Sequence, residues 1–153
     1  MIVAFTGHRP GKLPCGYSED HIFCLSTKDK LRDWLSSNRP ERAISGMALG
    51  WDQWAAKICV ELGIPFDAYI PCIGQECKWI PSSRQEYHRI LGLASRQVMV
   101  YNGPYNGSCM QDRNIAMVDA CDILVALWDG STGGTGNCIR YAKSKGITIV
   151  NLW

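Results

Sequence analysis

Residues 5–12 read Phe-Thr-Gly-His-Arg-Pro-Gly-Lys, a glycine and a knot of basic side chains directly after the apolar run Ile2-Val3-Ala4-Phe5. Gly7 would let backbone amides approach an anion closely, and His8 and Arg9 could bind it. The segment is not a P-loop. Only three residues separate Gly7 from Gly11, Leu13 stands where a hydroxyl is required, and Pro10 has no amide to give. It also lacks the G-x-G-x-x-G of a dinucleotide fold. His8 is therefore either a phosphate contact or a hydrogen-bonded loop residue.

Three further segments carry the same kind of chemistry. Gly133-Gly134-Thr135-Gly136 sits between an apolar run and a helix-like segment, where free amides and the helix dipole would face an anion. Thr135 there could cap the helix and bind an oxygen. Ser45-Gly46-Met47-Ala48-Leu49-Gly50 forms a second glycine turn, with Asp52 just inside the helix that follows. Asp52 would accept from ribose hydroxyls or merely complement the helix dipole. Arg113, with Asn114 beside it, lies near the start of a fourth helix, where a cation opposes the dipole and an anionic ligand is its natural use. Asp129, beside Gly130, borders the same region as a candidate acid or as a turn residue.

For these segments to meet, the chain must bring them to one edge. Apolar runs of strand length recur at 2–6, 42–45, 66–70, 97–101, 122–127 and 147–152, several without polar alternation, as expected of strands covered on both faces. Helical spacing is found near 20–37, 51–62, 83–94, 111–120 and 136–145. Alternating strands and helices predict a single-domain α/β fold over residues 1–153. It is Rossmann-like and doubly wound, with a mainly parallel sheet of about six strands flanked by helices. Ligands of such sheets bind outside the carboxyl ends of the strands, where strand order reverses. All four segments follow strands. The long segments 7–19 and 71–82 are candidate ligand walls. Trp51, Trp54 and Trp79 could stack on a base, but their helical spacing favours the core.

Bulk composition narrows the classes. Of 153 residues, 46% are hydrophobic and 20% charged, and the net charge of +2 is too small to argue for nucleic acid or an acidic membrane. No apolar run approaches the roughly 18 residues of a membrane span, and no signal peptide is apparent, so a cytoplasmic protein is expected. Eight cysteines without C-x-x-C spacing suggest free thiols rather than a disulfide framework or a metal centre.

The combination TGHRP, SGMALGWDQWAA and RNIAMVDACDILVALWDGSTGGTGNC resembles the SLOG superfamily, the SMF/DprA–LOG group, and within it the small YspA/YoqJ-like branch of bacterial and phage proteins. The resemblance covers nearly the whole chain. It implies a Rossmann-like domain that binds a nucleotide or nucleotide-derived ligand. Ser45, Gly46, Gly50 and Asp52, with Gly133, Gly134 and Thr135, would hold phosphate and sugar, and the TGHRP segment would form an extra wall. Similar Lonely Guy enzymes hydrolyse nucleoside monophosphates to base and ribose 5-phosphate. Arg113 matches their arginine, but the position of their glutamate is Cys138. A carboxylate there would stabilise the cationic sugar and activate water; a thiol does neither well.

The expectation is therefore binding without turnover, as a sensor, carrier or sequestering protein with no further cofactor. The alternative is a nucleotide N-glycosidase using Asp129 or Asp52, with Asp129 the better placed. DprA-like binding of single-stranded DNA is a weaker reading, because Arg84, Arg89 and Arg96 are a thin basic groove. A homodimer or larger homo-oligomer is implied by the family resemblance alone.

Overall fold

The computed structural model describes residues 1–153. Six strands, β1 (Ile2–Gly7), β2 (Arg42–Ser45), β3 (Phe66–Ile70), β4 (Arg96–Met99), β5 (Ile123–Leu127) and β6 (Thr148–Asn151), form one parallel sheet. Their order is β4-β3-β2-β1-β5-β6. Five helices make the crossovers: α1 (Ile22–Asn38), α2 (Trp51–Glu61), α3 (Pro81–Leu91), α4 (Cys109–Asp119) and α5 (Gly134–Ser144). The α/β doubly wound architecture is as expected, and the sheet is parallel throughout.

Alternation along the central strands supplies two separate cores. Val3 and Phe5 of β1, with Val125 and Leu127 of β5, face the helices α1, α2 and α3. Ala4, Leu124 and Ala126 point the other way, onto Met117 and Val118 of α4 and Ile139 and Ala142 of α5. Successive strand side chains alternate faces, so a run apolar on every residue is covered on both. The first three crossovers carry the sheet outward from β1 on one face. The β4–α4–β5 connection then returns to the other side of β1, so strand order reverses between β1 and β5.

Boundaries shift where local chemistry intervenes. Helix α3 begins at Pro81, two residues before the periodic pattern, because proline suits the first helical position. Helix α4 starts at Cys109, where the Asn106 side chain accepts from the amides of Ser108 (2.9 Å) and Cys109 (2.8 Å). Thr135 does not cap α5. Gly133 takes that place with φ 139°, a conformation available to glycine, and the helix starts at Gly134. Strand β4 lies at the sheet edge and is largely exposed. Seven of the eight cysteines are buried, and all are free thiols.

Glycine at position 7 is required by packing. A Cβ there would lie 2.5 Å from the ring carbons of the fully buried Trp51, whose indole N–H donates to the Val125 carbonyl. Gly7→Ala is expected to cost about 2 kcal/mol or more in denaturant unfolding, an overpacking penalty. Gly11→Ala, with nothing within 4 Å of the added carbon, is the near-neutral control.

Candidate functional site

The reversal point opens into a cleft of about 420 Å³. Its walls come from the end of β1, the β2–α2 turn and the first turns of α2, α4 and α5. Eight of the residues singled out from the sequence line it: Gly7, His8, Arg9, Asp52, Arg113, Asn114, Gly134 and Thr135. Four of its lining side chains, His8, Arg9, Lys12 and Arg113, are basic, against the single carboxyl of Asp52.

Arg113 is the most constrained of these. It is 4% exposed, donates from Nη1 to the Gly46 carbonyl at 2.6 Å and from Nε to Asn114 Oδ1 at 3.0 Å, and has no carboxylate within ion-pair distance. Burial lowers its pKa from the usual arginine value, with Asp52 opposing the shift, yet a guanidinium remains a cation at neutral pH. Gly46 must be glycine for this arrangement, since a Cβ would meet the guanidinium at 2.6 Å.

The remaining predicted residues support the walls without lining them. Ser45 accepts from the Met47 amide (3.1 Å) and donates to the Asp52 carbonyl (2.8 Å), bracing the turn. Gly50, at φ 88°, packs against the His8 carbonyl, where a Cβ would come within 2.7 Å. Gly133 lies beside Lys12. Asp129 is the acid expected to be the better placed. It does not line the cleft; its Oδ1 sits 2.7 Å from His8 Nε2 and accepts from the Ser131 amide at 2.9 Å. The Ser131 side chain and amide, then His8, hold this carboxyl well below the ordinary range, so it is ionised at neutral pH. Cys138 is sealed against Thr6 beneath the cleft floor, and burial pushes its thiol up to about 11.

Lys12 and Met110 were not anticipated. Lys12 sits on a short 3-10 turn (Pro10–Lys12) and donates to the Thr132 carbonyl at 2.8 Å, linking the TGHRP segment to the loop before α5. No local signal marks it, because its partner is 120 residues away. Of the surface arginines, Arg89 pairs with Glu86 (2.7 Å) and Arg96 with the buried Asp67 (2.9 Å). Trp51 is core.

Asp52 is 5% exposed and has one long contact, from the Ala48 amide at 3.4 Å. Burial pushes its pKa up to about 6, with Arg113, the Ala48 amide and Arg9 pulling it back. A carboxyl whose folded pKa lies above its unfolded value favours the fold while protonated. That contribution is complete below about pH 4 and is lost as pH rises through about 6. Asp52→Asn is therefore expected to stabilise the protein at pH 7.5, by at most about 3 kcal/mol, and to have little effect near pH 4. Urea unfolding at the two pH values measures this; a constant difference would refute it.

With this geometry in view, the likenesses to known proteins fall into place. YoqJ, an uncharacterized SPbeta prophage-derived protein of Bacillus subtilis, is 32% identical over 140 aligned residues, covering 78% of this chain and 81% of its own. A UPF0398 protein of Bacillus velezensis is 24% identical over 153 residues, covering 94% and 84%. Among solved structures, DNA processing protein A (DprA) of Streptococcus pneumoniae superposes with a TM-score of 0.69 at 14% identity. The match takes in 97% of this chain but 49% of that one. The Helicobacter pylori DprA, described for its single-stranded DNA binding mode, gives 0.67 at 21% identity over 99% of this chain and 64% of its own. The structural-genomics target TM1055 gives 0.63 at 17%, over 97% and 71%. These structures share the fold; the family follows from sequence, since the profile of the YspA SLOG family matches residues 3–146. The chain belongs to the YspA SLOG family.

Proposed function

We propose that the cleft binds a nucleotide or nucleotide-derived ligand through its phosphate and retains it without turnover, making the protein a sensor, carrier or sequestering module. One observation carries this reading: Arg113 is buried at the cleft and forms no direct ion pair, Asp52 being the one carboxyl that acts on it from a distance. A cation kept out of water without an ion-pair partner is costly, and an anionic ligand is the partner that would complete it. The first turns of α2, α4 and α5 converge on the same space, and their dipoles favour negative charge.

Retention is preferred to hydrolysis because of the acids. The position of the Lonely Guy glutamate is the sealed thiol of Cys138, and Asp129 is spent on His8 and Ser131. A second reading rests on Asp52, which lines the cleft and has a pKa of about 6, suited to a general acid or base near neutrality. In that reading the chain is a nucleoside 5′-monophosphate N-glycosidase. DprA-like binding of single-stranded DNA has less support, since Arg89 and Arg96 are engaged in ion pairs.

The test is to incubate the protein with nucleoside monophosphates, ADP-ribose and cyclic nucleotides, then resolve the mixture by mass-detected chromatography. Intact ligand recovered only after denaturation supports retention. Free base that disappears in Asp52→Asn supports the glycosidase instead. Arg113→Gln is expected to weaken binding by about tenfold or more, read by calorimetry. Unchanged affinity would remove the arginine from the site.

A further inference from the structure

His8 and Asp129 form a pair that the binding proposal leaves without a purpose. His8 is 3% exposed, lines the cleft, and is fixed by its backbone, with its amide donating to Leu127 and its carbonyl packed on Gly50. The Trp153 indole meets the ring edge-on, with centroids 5.8 Å apart at 86°. On the loop between β5 and α5, the Asp129 carboxylate takes Nε2 at 2.7 Å.

That contact decides the tautomer. An ionised carboxylate can only accept, so Nε2 carries a proton whenever the pair is formed. The Asp129 amide also lies 3.2 Å from Nε2, but it would need that nitrogen to be an acceptor. The shorter, charge-assisted contact prevails. Nδ1 is then the unprotonated nitrogen of the neutral ring. It has no protein partner, and it is not sealed, since the single fully buried side-chain polar atom lacking a partner is Gln75 Oε1. Nδ1 therefore keeps solvent contact on a ring that is otherwise buried and belongs to a residue lining the cleft.

We infer that Asp129 is a positioning residue that acts through His8. It holds the imidazole by Nε2 so that Nδ1 is presented to the bound anion and takes up a proton when a phosphate or sulfate group occupies the cleft. This rests on the anion-binding reading above. The step is a simple protonation: a proton from solvent adds to the Nδ1 lone pair, and the resulting N–H donates to an anionic oxygen. Asp129 keeps its bond to Nε2 throughout and balances the charge of the imidazolium. The other charged groups around the cleft are Arg9, Lys12, Asp52 and Arg113. A bound anion offsets the charge of the three cations beside the ring.

Inorganic sulfate is the probe, because its charge is constant across the range in which histidine titrates, whereas a phosphate monoester titrates near pH 6. Two readouts are taken on the intact chain: the ring-nitrogen NMR shifts of His8, and sulfate affinity from the amide shifts of Gly134 and Thr135. In the free protein the neutral ring should carry its proton on Nε2. Sulfate should drive protonation of Nδ1, and its affinity should fall about tenfold between about pH 5.5 and pH 8. His8→Gln should flatten that profile. Asp129→Asn keeps an acceptor for Nε2 but loses the charge, so the fall should move to lower pH.

A neutral ring protonated on Nδ1, or a profile with the same midpoint in Asp129→Asn as in the parent, would overturn the inference. Sulfate that shifts Thr135 without altering His8 would overturn it while leaving the anion site standing. Sulfate that shifts neither would overturn both, with the free-protein tautomer still reporting whether Asp129 holds the ring.

Discussion

The hydrogen bond from Arg113 to the Gly46 carbonyl, at 2.6 Å, joins the first turns of α4 to the turn after β2 at the cleft. A guanidinium has five N–H donors and cannot be left in an interior without partners. Here two are satisfied by Gly46 and Asn114, and no carboxylate completes the set. The neighbouring backbone adapts to this. Position 46 has no room for a side chain, Met47 follows with φ 61°, and Gly50 turns with φ 88° so that the chain can pass beneath His8. Gln75 adds a second donor to the same Gly46 carbonyl at 3.3 Å, tying the 71–80 loop to the arginine's anchor.

Around that bond the charges of the cleft are deliberately unequal. Three helix N-termini and four basic side chains raise the potential, and Asp52 is the one acid that faces it. Proximity to Arg113 and Arg9 should keep Asp52 ionised, but burial is the larger effect and leaves its pKa at about 6. Asp129 is the opposite case. It is partly exposed, hydrogen-bonded by Ser131 and His8, and firmly ionised. Two aspartates at one sheet edge thus differ in protonation behaviour because one is desolvated and the other is donated to, the separation of roles that environment imposes on like groups.

The same sheet supports DprA and TM1055, and likeness of fold does not carry chemistry with it. What distinguishes this chain lies in individual positions. The inward face of α5 carries Cys138 in an apolar layer with Ile139 and Ala142. The TGHRP segment is tied across the cleft by Lys12 to Thr132 and by His8 to Asp129, so the first and fifth strands share one wall.

Much of this was legible in the amino-acid order. Apolar runs such as Ile123–Leu127 have no polar alternation and so declared a strand covered on both faces, and the helical stripe over 51–62 declared the crossover between β2 and β3. The strand–helix alternation determined a doubly wound sheet, and the glycine turns marked its carboxyl edge as the candidate site. That much depends on periodicity and steric rules that act within a few residues. Tertiary structure alone decided the rest. Cys138 pointing into the core, Asp129 turning to His8 and Lys12 reaching Thr132 all depend on partners more than a hundred residues away or on which helix face meets the sheet. The protonation of Asp52 is likewise not a property of its sequence neighbours, because it follows from the water excluded when α2, α4 and the β1 loop close around it.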